Sequence, residues 1–194
     1  NHDGPLLTDT IIVASIKPSQ NKVALLSIPR DLLVPMSNQG WRKINAVNAL
    51  GEKTPGAGLE VARTTVEGLL GIDIPYAIRV DFNGFESFID SIGGLDIYVD
   101  KAFTDYEYPT NDYKYQTITF KQGWQKLSGD MALKFVRSRH GNNGEGSDFA
   151  RSRRQQKILS ALKDKILTVN MLKNPSMVKN VLSVLQSNIT TNLQ

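Results

Sequence analysis

The stretch RSRHGNNGEGSDFARSRRQ, residues 137–155, is the part of the sequence around which the rest is interpreted. It places five arginines around a loop of glycine and asparagine residues, a composition that is typical of a turn and not of a packed core. Guanidinium groups gathered in this way indicate a binding site for an anion, because their planar forks match carboxylate and phosphate oxygens.

Two local patterns orient these arginines. If the first residues of the stretch are extended, Arg137 and Arg139 project to the same side, because side chains alternate along a strand. Ser147 is predicted to be the N-cap of a helix that begins at Asp148. One face of that helix is polar at its start and apolar further on, with the order Asp148, Arg151, Arg154, Gln155, Ile158, Leu162 and Ile166.

This face permits two interpretations. The positive end of a helix with arginines beside it suits an anion, and the apolar continuation suggests a ligand with a charged head and a hydrocarbon tail. Alternatively, Ile158, Leu162 and Ile166 face the core while the arginines are solvated or paired with acids elsewhere. The helix pattern alone favours the second interpretation.

Composition bounds the possible functions. A chain of 194 residues with 40% hydrophobic and 22% charged residues is predicted to form one globular domain over residues 1–194. The net charge of +4 permits an anionic partner. The absence of cysteine excludes disulfides, thiolate metal sites and thiol nucleophiles, and two histidines leave little room for a zinc site or a catalytic triad. No apolar run approaches the length of a membrane span, so we expect any membrane anchor to lie outside this fragment.

The pattern of apolar residues predicts strands that alternate with helices. A hairpin of two well-buried strands is predicted over residues 11–16 and 23–28, and residues 102–119 form either a carbohydrate groove or a twisted hairpin. Helices are predicted over residues 59–70, 82–91, from 148 onward and over 175–187, and a further strand over 95–99. Gly71 is predicted to be a C-cap, Asp81 a helix cap or a surface charge, and residues 128–130 a further helix start. These elements predict the α/β class, as an α-β-α layered domain with a central mixed sheet.

Seven separate stretches share a further likeness. They are LTDTI (7–11), LSIPRD (26–31), KINA (43–46), VDFNGF (80–85), GGLD (93–96), FVRSR (135–139) and DFARSRRQQ (148–156). Together, and in this order, they resemble the LytR-CpsA-Psr (LCP) family of bacterial cell-wall enzymes over nearly the whole chain.

The resemblance implies a function. Members are phosphotransferases that move an anionic glycopolymer, such as wall teichoic acid, capsular polysaccharide or arabinogalactan, from a polyprenyl pyrophosphate carrier onto peptidoglycan. It implies a Mg²⁺ cofactor and an apolar tunnel for the lipid tail between sheet and helices. It also implies a location outside the cytoplasmic membrane, with an N-terminal transmembrane anchor that is absent from this fragment.

By motif, the resemblance also assigns residues. Asp9 is implied to bind Mg²⁺ or to deprotonate the acceptor hydroxyl, and Ile158, Leu162 and Ile166 to contact the lipid tail. The implied catalytic residues are Asp9, Arg30, Arg137 and Arg139. The implied pyrophosphate ligands are Arg30, Lys43, Arg137, Arg139, Arg151 and Gln155, with Asp148 orienting one of the arginines.

Some alternatives remain open at this stage. The family usually begins its domain with a strand that ends in Gly-x-Asp, whereas only residues 1–5 precede Leu6 here. A module that only binds the lipid pyrophosphate, or a pyrophosphatase, would use the same residues. A nucleic-acid binder is disfavoured because the arginines converge on one loop. The glycine-rich loop His140–Gly146 is interpreted as a mobile flap.

Overall fold

The computed structural model describes residues 6–20, 22–36, 40–110, 112, 114–168, 183 and 189–193. The chain divides into two compact units, the first formed by Asn1–Arg79 with Thr190–Gln194 and the second by Val80–Ile189. That residues 1–194 act as a single domain stays a prediction.

The described elements combine strands with helices, which confirms the α/β class. In chain order they are β1 (Ile11–Lys17), β2 (Lys22–Ile28), β3 (Leu33–Met36), β4 (Gly40–Lys43), α1 (Val47–Gly51), α2 (Gly58–Leu70), β5 (Ile78–Val80), α3 (Phe82–Ser91), β6 (Leu95–Val99), β7 (Phe103–Pro109), β8 (Tyr115–Phe120), β9 (Gly123–Leu127), α4 (Gly129–Arg137), α5 (Asp148–Thr168) and β10 (Ile189–Thr191).

Among the described residues the strands pair two by two. The registers of β1–β2, β3–β4, β6–β9 and β7–β8 are all antiparallel, and β5 pairs with β10. The central mixed sheet expected from the sequence is not among these pairings. The antiparallel pairing of β7 with β8 shows that these two strands form a hairpin, with a register shift between Asp105 and Tyr108.

The first unit confirms the predicted hairpin but not its burial. Strands β1 and β2 match the expected residues, and Ile11 and Val13 pack against a small core that contains Ile28. Near the turn, however, Ile16 and Val23 are 67% and 50% exposed. An apolar run without alternation suggests burial on both faces, whereas the described residues pack mainly against the other end of this hairpin.

The second unit has the larger core, which is built around three aromatic rings. Phe103 and Phe120 stack with their centroids 5.0 Å apart, and Phe135 of α4 meets Phe120 at 5.1 Å. Strand β6 alternates strictly between buried and exposed residues, so one face of the β6–β9 ribbon belongs to this core and the other does not.

Helix ends in both units follow the local signals. The Asp81 carboxylate accepts a hydrogen bond from the Gly84 amide at the start of α3, and the Ser128 hydroxyl accepts one from the Met131 amide at the start of α4. Helix α2 ends at Gly71 with a φ of 65°, a conformation that glycine adopts without steric cost. These three boundaries were predicted from the sequence.

Two sequence predictions fall on residues that the structure does not describe. The final helix over 175–187 lies outside the described residues except for Ser183, and the side chain of Ile166 is likewise outside them. Among the helices that are described, none combines the length and the apolarity needed to cross a bilayer.

Two glycines in helices predict opposite effects of adding a methyl group. A Cβ at Gly129 would lie 2.2 Å from the Glu86 carbonyl oxygen, so Gly129→Ala should lower the free energy of unfolding by about 1–3 kcal/mol as α3 and α4 separate. A Cβ at Gly68 meets nothing within 4 Å, so Gly68→Ala should raise it by about 0.5–1 kcal/mol. Urea denaturation checks both, and equal midpoints would contradict the close approach of α3 to α4.

Candidate functional site

Arg137 and Arg139 are presented by the end of a helix, not by a strand. Arg137 is the last residue of α4, and Ser138 leaves the helix with φ −51° and ψ 134°. The strand alternation that paired Arg137 with Arg139 is therefore wrong, because Arg137 belongs to the last turn of α4 and Ser138 follows it as the C-cap.

The exit from α4 is held by a buried aspartate on β7. One oxygen of the Asp105 carboxylate accepts hydrogen bonds from the Ser138 hydroxyl at 2.6 Å and from the amides of Arg139 and His140 at 3.2 Å each. The other oxygen accepts from the Glu107 amide at 2.9 Å. Asp105 is 1% exposed. Burial alone would raise the pKa of this carboxyl, but the four donors together hold it below its ordinary value.

The guanidinium of Arg137 lies against aromatic rings. Its central carbon is 4.1 Å from the centroid of the Phe82 ring and 5.9 Å from that of Tyr108. Burial raises the pKa of the Tyr108 phenol, while the positive charge of Arg137 opposes that rise. The ring contact restricts the rotation of the guanidinium.

The first turn of α5 brings three of the predicted residues together. The Ser147 hydroxyl caps the helix by accepting a hydrogen bond from the Ala150 amide, as predicted. An Asp148 carboxylate oxygen lies 3.2 Å from Arg151 Nη1 and 3.7 Å from Arg139 Nη2. One carboxylate is thus shared by two guanidinium groups at the positive end of a helix.

Gln155 lies one turn further along α5 and is buried. Its amide nitrogen donates to the Val136 carbonyl at 3.4 Å, which ties α5 to α4. Arg151 is almost fully buried, whereas the Arg139 side chain is 41% exposed. Of these residues, Arg139 is the one most accessible to a ligand.

The remaining two arginines of the stretch bind Glu145. Arg153 Nη2 and Arg154 Nη1 donate to the two oxygens of its carboxylate at 2.6 and 2.7 Å. Arg154 is buried and also donates to the carbonyls of Phe135 and Ser138 at 2.8 and 2.6 Å. Burial lowers the pKa of Arg154, and Glu145 opposes that shift. We conclude that Arg154 is a structural residue.

The loop His140–Gly146 is fixed to strand β7, so its interpretation as a mobile flap is wrong. The Asn142 amide donates to the Thr104 carbonyl at 3.0 Å, and the Asn142 side chain accepts from the Thr104 amide at 2.8 Å. Asn143 donates to the Ala102 carbonyl at 2.8 Å. Glu145, within the loop, is buried and binds Arg153 and Arg154, so the loop is also held by ion pairs.

In the first unit the predicted residues form a chain of alternating charges. Arg30 Nη1 contacts the Asp9 carboxylate, and Arg30 Nε lies 3.7 Å from Asp31. Lys43 Nζ donates to the other Asp31 oxygen at 2.7 Å. The Asn45 amide donates to the Arg30 carbonyl at 3.1 Å, which fixes the backbone of this segment. Whether this chain and the arginines of the second unit bind one substrate stays a prediction.

The predicted metal ligand is a single carboxylate. Among the described residues no group of three or more His, Cys, Asp or Glu side chains is placed to hold a metal ion. Mg²⁺ usually takes only one or two carboxylates and completes its shell with water and substrate phosphate oxygens. Asp9 fits that limited role, and Mg²⁺ stays a prediction.

The residues assigned to the lipid tail lie in or beside the core of the second unit. Ile158 is 1% exposed and Leu162 packs against the same cluster. This is the structural role that the helix pattern favoured. Contact with a lipid tail stays a prediction for both residues.

Comparison with known proteins identifies the family. The model of the LytR_cpsA_psr family matches residues 3–194. The chain belongs to the LytR_cpsA_psr family. It is 31% identical over 187 residues to the polyisoprenyl-teichoic acid–peptidoglycan teichoic acid transferase TagV of Bacillus subtilis (strain 168), covering 96% of this chain and 45% of TagV. It is 32% identical over 187 residues to the transferase of the same description, TagU, of Bacillus mycoides (strain KBAB4), covering 96% of this chain and 55% of TagU.

A solved structure shows the same fold. The crystal structure of B. subtilis TagV superposes with a TM-score of 0.75 at 31% identity, covering 97% of this chain and 67% of that one. The chain spans about half the length of the curated relatives it matches. The likeness to the LytR_cpsA_psr family therefore concerns one part of those proteins.

Asp105 is the residue that the sequence analysis missed. It occupies an inward-facing position of β7, two residues after the buried Phe103. A charged residue in register with core positions is the signal that could have identified it, because buried carboxylates need several hydrogen-bond donors.

Replacing this carboxylate should destabilise the second unit in a pH-dependent way. In Asp105→Asn, the NH₂ group replaces one of the accepting oxygens, so a hydrogen-bond donor faces other donors. The free energy of unfolding at pH 7 should therefore fall by about 1–3 kcal/mol. Because the folded-state pKa of Asp105 is lowered, its stabilisation is present above the unfolded pKa of about 3.9 and is lost as the pH falls through the folded value.

The difference between wild type and Asp105→Asn should therefore shrink below about pH 4, as measured by urea denaturation across a pH series. Asp164→Asn is the control, since this exposed carboxylate has an ion pair with its neighbour Lys163. A stability difference that does not change with pH would contradict the assignment of Asp105 as a buried carboxylate.

Proposed function

We propose that this chain is the catalytic part of a phosphotransferase that moves an anionic glycopolymer from a polyprenyl pyrophosphate carrier onto peptidoglycan. The observation that carries the proposal is the shared carboxylate at the start of α5, where Asp148 lies between Arg139 and Arg151. The names of TagU and TagV, as polyisoprenyl-teichoic acid–peptidoglycan teichoic acid transferases, support the donor class and the acceptor.

The charge of this segment suits a pyrophosphate diester. Each of Arg137, Arg139 and Arg151 carries one positive charge. Asp148 compensates one of these three charges, which leaves two positive charges. A pyrophosphate diester carries two negative charges, which would balance the remainder. Guanidinium forks bind such oxygens in pairs and stay charged at any physiological pH, and the N–H groups of the first helical turn add to the attraction.

The proposed reaction exchanges the phosphoanhydride bond of the donor for a phosphate ester bond to the acceptor. A hydroxyl oxygen of a peptidoglycan sugar attacks the phosphorus that carries the glycopolymer, and the bond from that phosphorus to the bridging oxygen breaks. Polyprenyl phosphate leaves with the bridging oxygen, and the hydroxyl proton passes to a base, a role for which Asp9 is the candidate. The arginines would stabilise the charge that develops on the leaving phosphate, so that catalysis depends mostly on position and electrostatics.

The charged chain of the first unit has a role in the same proposal. Arg30 contacts Asp9, so a substrate phosphate that attracts the guanidinium of Arg30 would release the Asp9 carboxylate. When bound at Asp9, Mg²⁺ would offset negative charge on the pyrophosphate oxygens. Under this proposal the protein acts outside the cytoplasmic membrane, where peptidoglycan lies, and a membrane anchor outside these 194 residues would hold it there.

Turnover of a polyprenyl pyrophosphate-linked oligosaccharide, with a peptidoglycan oligomer as acceptor, tests the proposal. Transfer should depend on Mg²⁺, and Arg30→Ala and Arg151→Ala should each lower kcat/KM at least tenfold, about 1.4 kcal/mol, because each removes a charged phosphate ligand. Arg42→Ala is the control, since Arg42 is exposed and donates to the Trp41 carbonyl.

Each other outcome of this assay has a defined meaning. Release of phosphorylated sugar without transfer would make the chain a pyrophosphatase. Lipid binding without turnover in the presence of Mg²⁺ would make it a binding module. Unchanged transfer in both arginine variants would contradict the proposed site.

Arg137→Lys tests the shape of the cation separately from its charge. Lysine keeps the positive charge but loses the planar fork that stacks on Phe82, so kcat/KM should fall about tenfold. Phe82→Leu should give a smaller decrease, mainly through KM, because Arg137 keeps its fork but loses its support. The control is Arg42→Lys. Full activity of Arg137→Lys would show that Arg137 contributes charge alone.

A further inference from the structure

An exposed aromatic pair lies on the outer face of the β6–β9 ribbon. Tyr98 and Trp124 are register partners, their ring centroids are 5.6 Å apart and their planes meet at 68°. The two residues are 43% and 73% exposed. An edge-to-face contact covers a face of only one of the two rings, so flat apolar surface remains open to a ligand.

Two ion pairs with α5 bracket this pair. Asp100, which directly follows β6, binds Lys157 at 2.6 Å, and Asp96 on β6 lies 3.7 Å from Lys165. Lys157 also donates to the Tyr98 carbonyl at 2.7 Å, and its ammonium lies 6.0 Å from the Tyr98 ring. At about 3.3 Å per residue, the two carboxylates are separated by about 13 Å along the strand. Charged donors and acceptors therefore flank the rings over the length of a short oligosaccharide.

A small cavity of about 10 Å³, with room for about one water molecule, adjoins the aromatic pair at Lys157. Its charged lining consists of Asp100, Lys101, Glu145, Arg153, Arg154 and Lys157, in which cations outnumber carboxylates. Arg153 contacts Glu145, yet its side chain is 57% exposed. Lys157 belongs to both features, because it lines the cavity and also lies beside Tyr98.

We propose that the Tyr98–Trp124 pair and this cavity bind the repeating units of an anionic glycopolymer. Sugar rings pack their C–H faces on the aromatic surface, and sugar hydroxyls exchange hydrogen bonds with the flanking carboxylates and lysines. Phosphate groups bind the exposed guanidinium of Arg153 at the rim of the cavity. The combination selects this ligand, because a bare polyphosphate needs only the cations and a neutral glycan needs only the rings.

This inference rests on the proposed function for the identity of the polymer, and it adds a second binding point for that polymer. None of Tyr98, Trp124, Lys157 or Arg153 is among the residues predicted for the pyrophosphate. A lipid-linked glycopolymer that is long enough to contact both the pyrophosphate site and the aromatic pair gains affinity without any new contact at the pyrophosphate. The structure thus gives the chain a means to favour long polymers over short ones.

Calorimetric titration with lipid-free wall teichoic acid, a sugar-substituted polyol phosphate polymer, tests the inference without any turnover. The double variant Tyr98→Leu/Trp124→Leu should bind about tenfold more weakly than the wild type, because two exposed aromatic anchors are removed. Trp41→Leu is the matched control, since Trp41 is 65% exposed and lies in the first unit. Dextran and inorganic polyphosphate of similar length should bind the wild type at least about tenfold more weakly than the teichoic acid.

Loss of the cross-strand pair could also unfold the ribbon, so circular dichroism accompanies each titration. Arg153→Gln tests the cavity independently, because Arg154 still binds Glu145 in that variant. It should weaken teichoic acid binding and reduce its dependence on salt. An unchanged Kd in both the double variant and Arg153→Gln would overturn the inference, as would polyphosphate, dextran or duplex DNA binding as tightly as teichoic acid.

The two proposals fail separately. A chain that transfers glycopolymer, but whose double variant binds teichoic acid as the wild type does, would refute this inference alone. A chain that binds teichoic acid through the aromatic pair without catalysing transfer would refute the proposed function alone.

Discussion

The candidate site of the second unit depends on one buried carboxylate. Asp105 gathers the Ser138 hydroxyl and two consecutive backbone amides at the point where α4 ends. A buried carboxylate without donors would be costly, and three backbone or hydroxyl donors without an acceptor would be costly as well. Each side therefore stabilises the other, and together they fix the backbone on which Arg137 and Arg139 stand.

A second buried carboxylate distinguishes the structural Arg154 from the arginines that can meet a ligand. Glu145 binds Arg153 and Arg154, and Arg154 reaches the carbonyls of Phe135 and Ser138 from the middle of α5. These bonds join the loop, the end of α4 and α5 into one framework. Arg139 and Arg151 instead share Asp148 with each other at the helix start. Neighbouring arginines in one sequence motif thus have different tasks because different carboxylates reach them.

The first unit uses weaker and more exposed interactions. Asp9, Arg30, Asp31 and Lys43 alternate in charge, and each pair is at least partly open to solvent. Ion pairs of this kind contribute little to folding, since water screens them and side-chain entropy opposes them. A chain of such pairs can exchange partners when an anion approaches. The exposed Tyr98–Trp124 pair of the second unit likewise contributes little to the core, because most of the Trp124 surface lies outside it.

The sequence by itself determined the features that depend on near neighbours in the chain. Helix starts are indicated by Asp81, Ser128 and Ser147, and a helix end by Gly71. The two apolar runs before Pro29 indicate a hairpin. Capping and turn formation involve only a few adjacent residues, so the sequence is sufficient to predict them. The family likeness also follows from ordered short motifs. The sequence did not reveal that Arg137 ends a helix, that His140–Gly146 is fixed, or that Asp105 and Glu145 hold the site together. Those features required the tertiary structure, because Asp105 meets Ser138 across 33 residues and Arg154 meets Phe135 across 19. Only the packing of β7 against the end of α4 and the start of α5 brings such residues together.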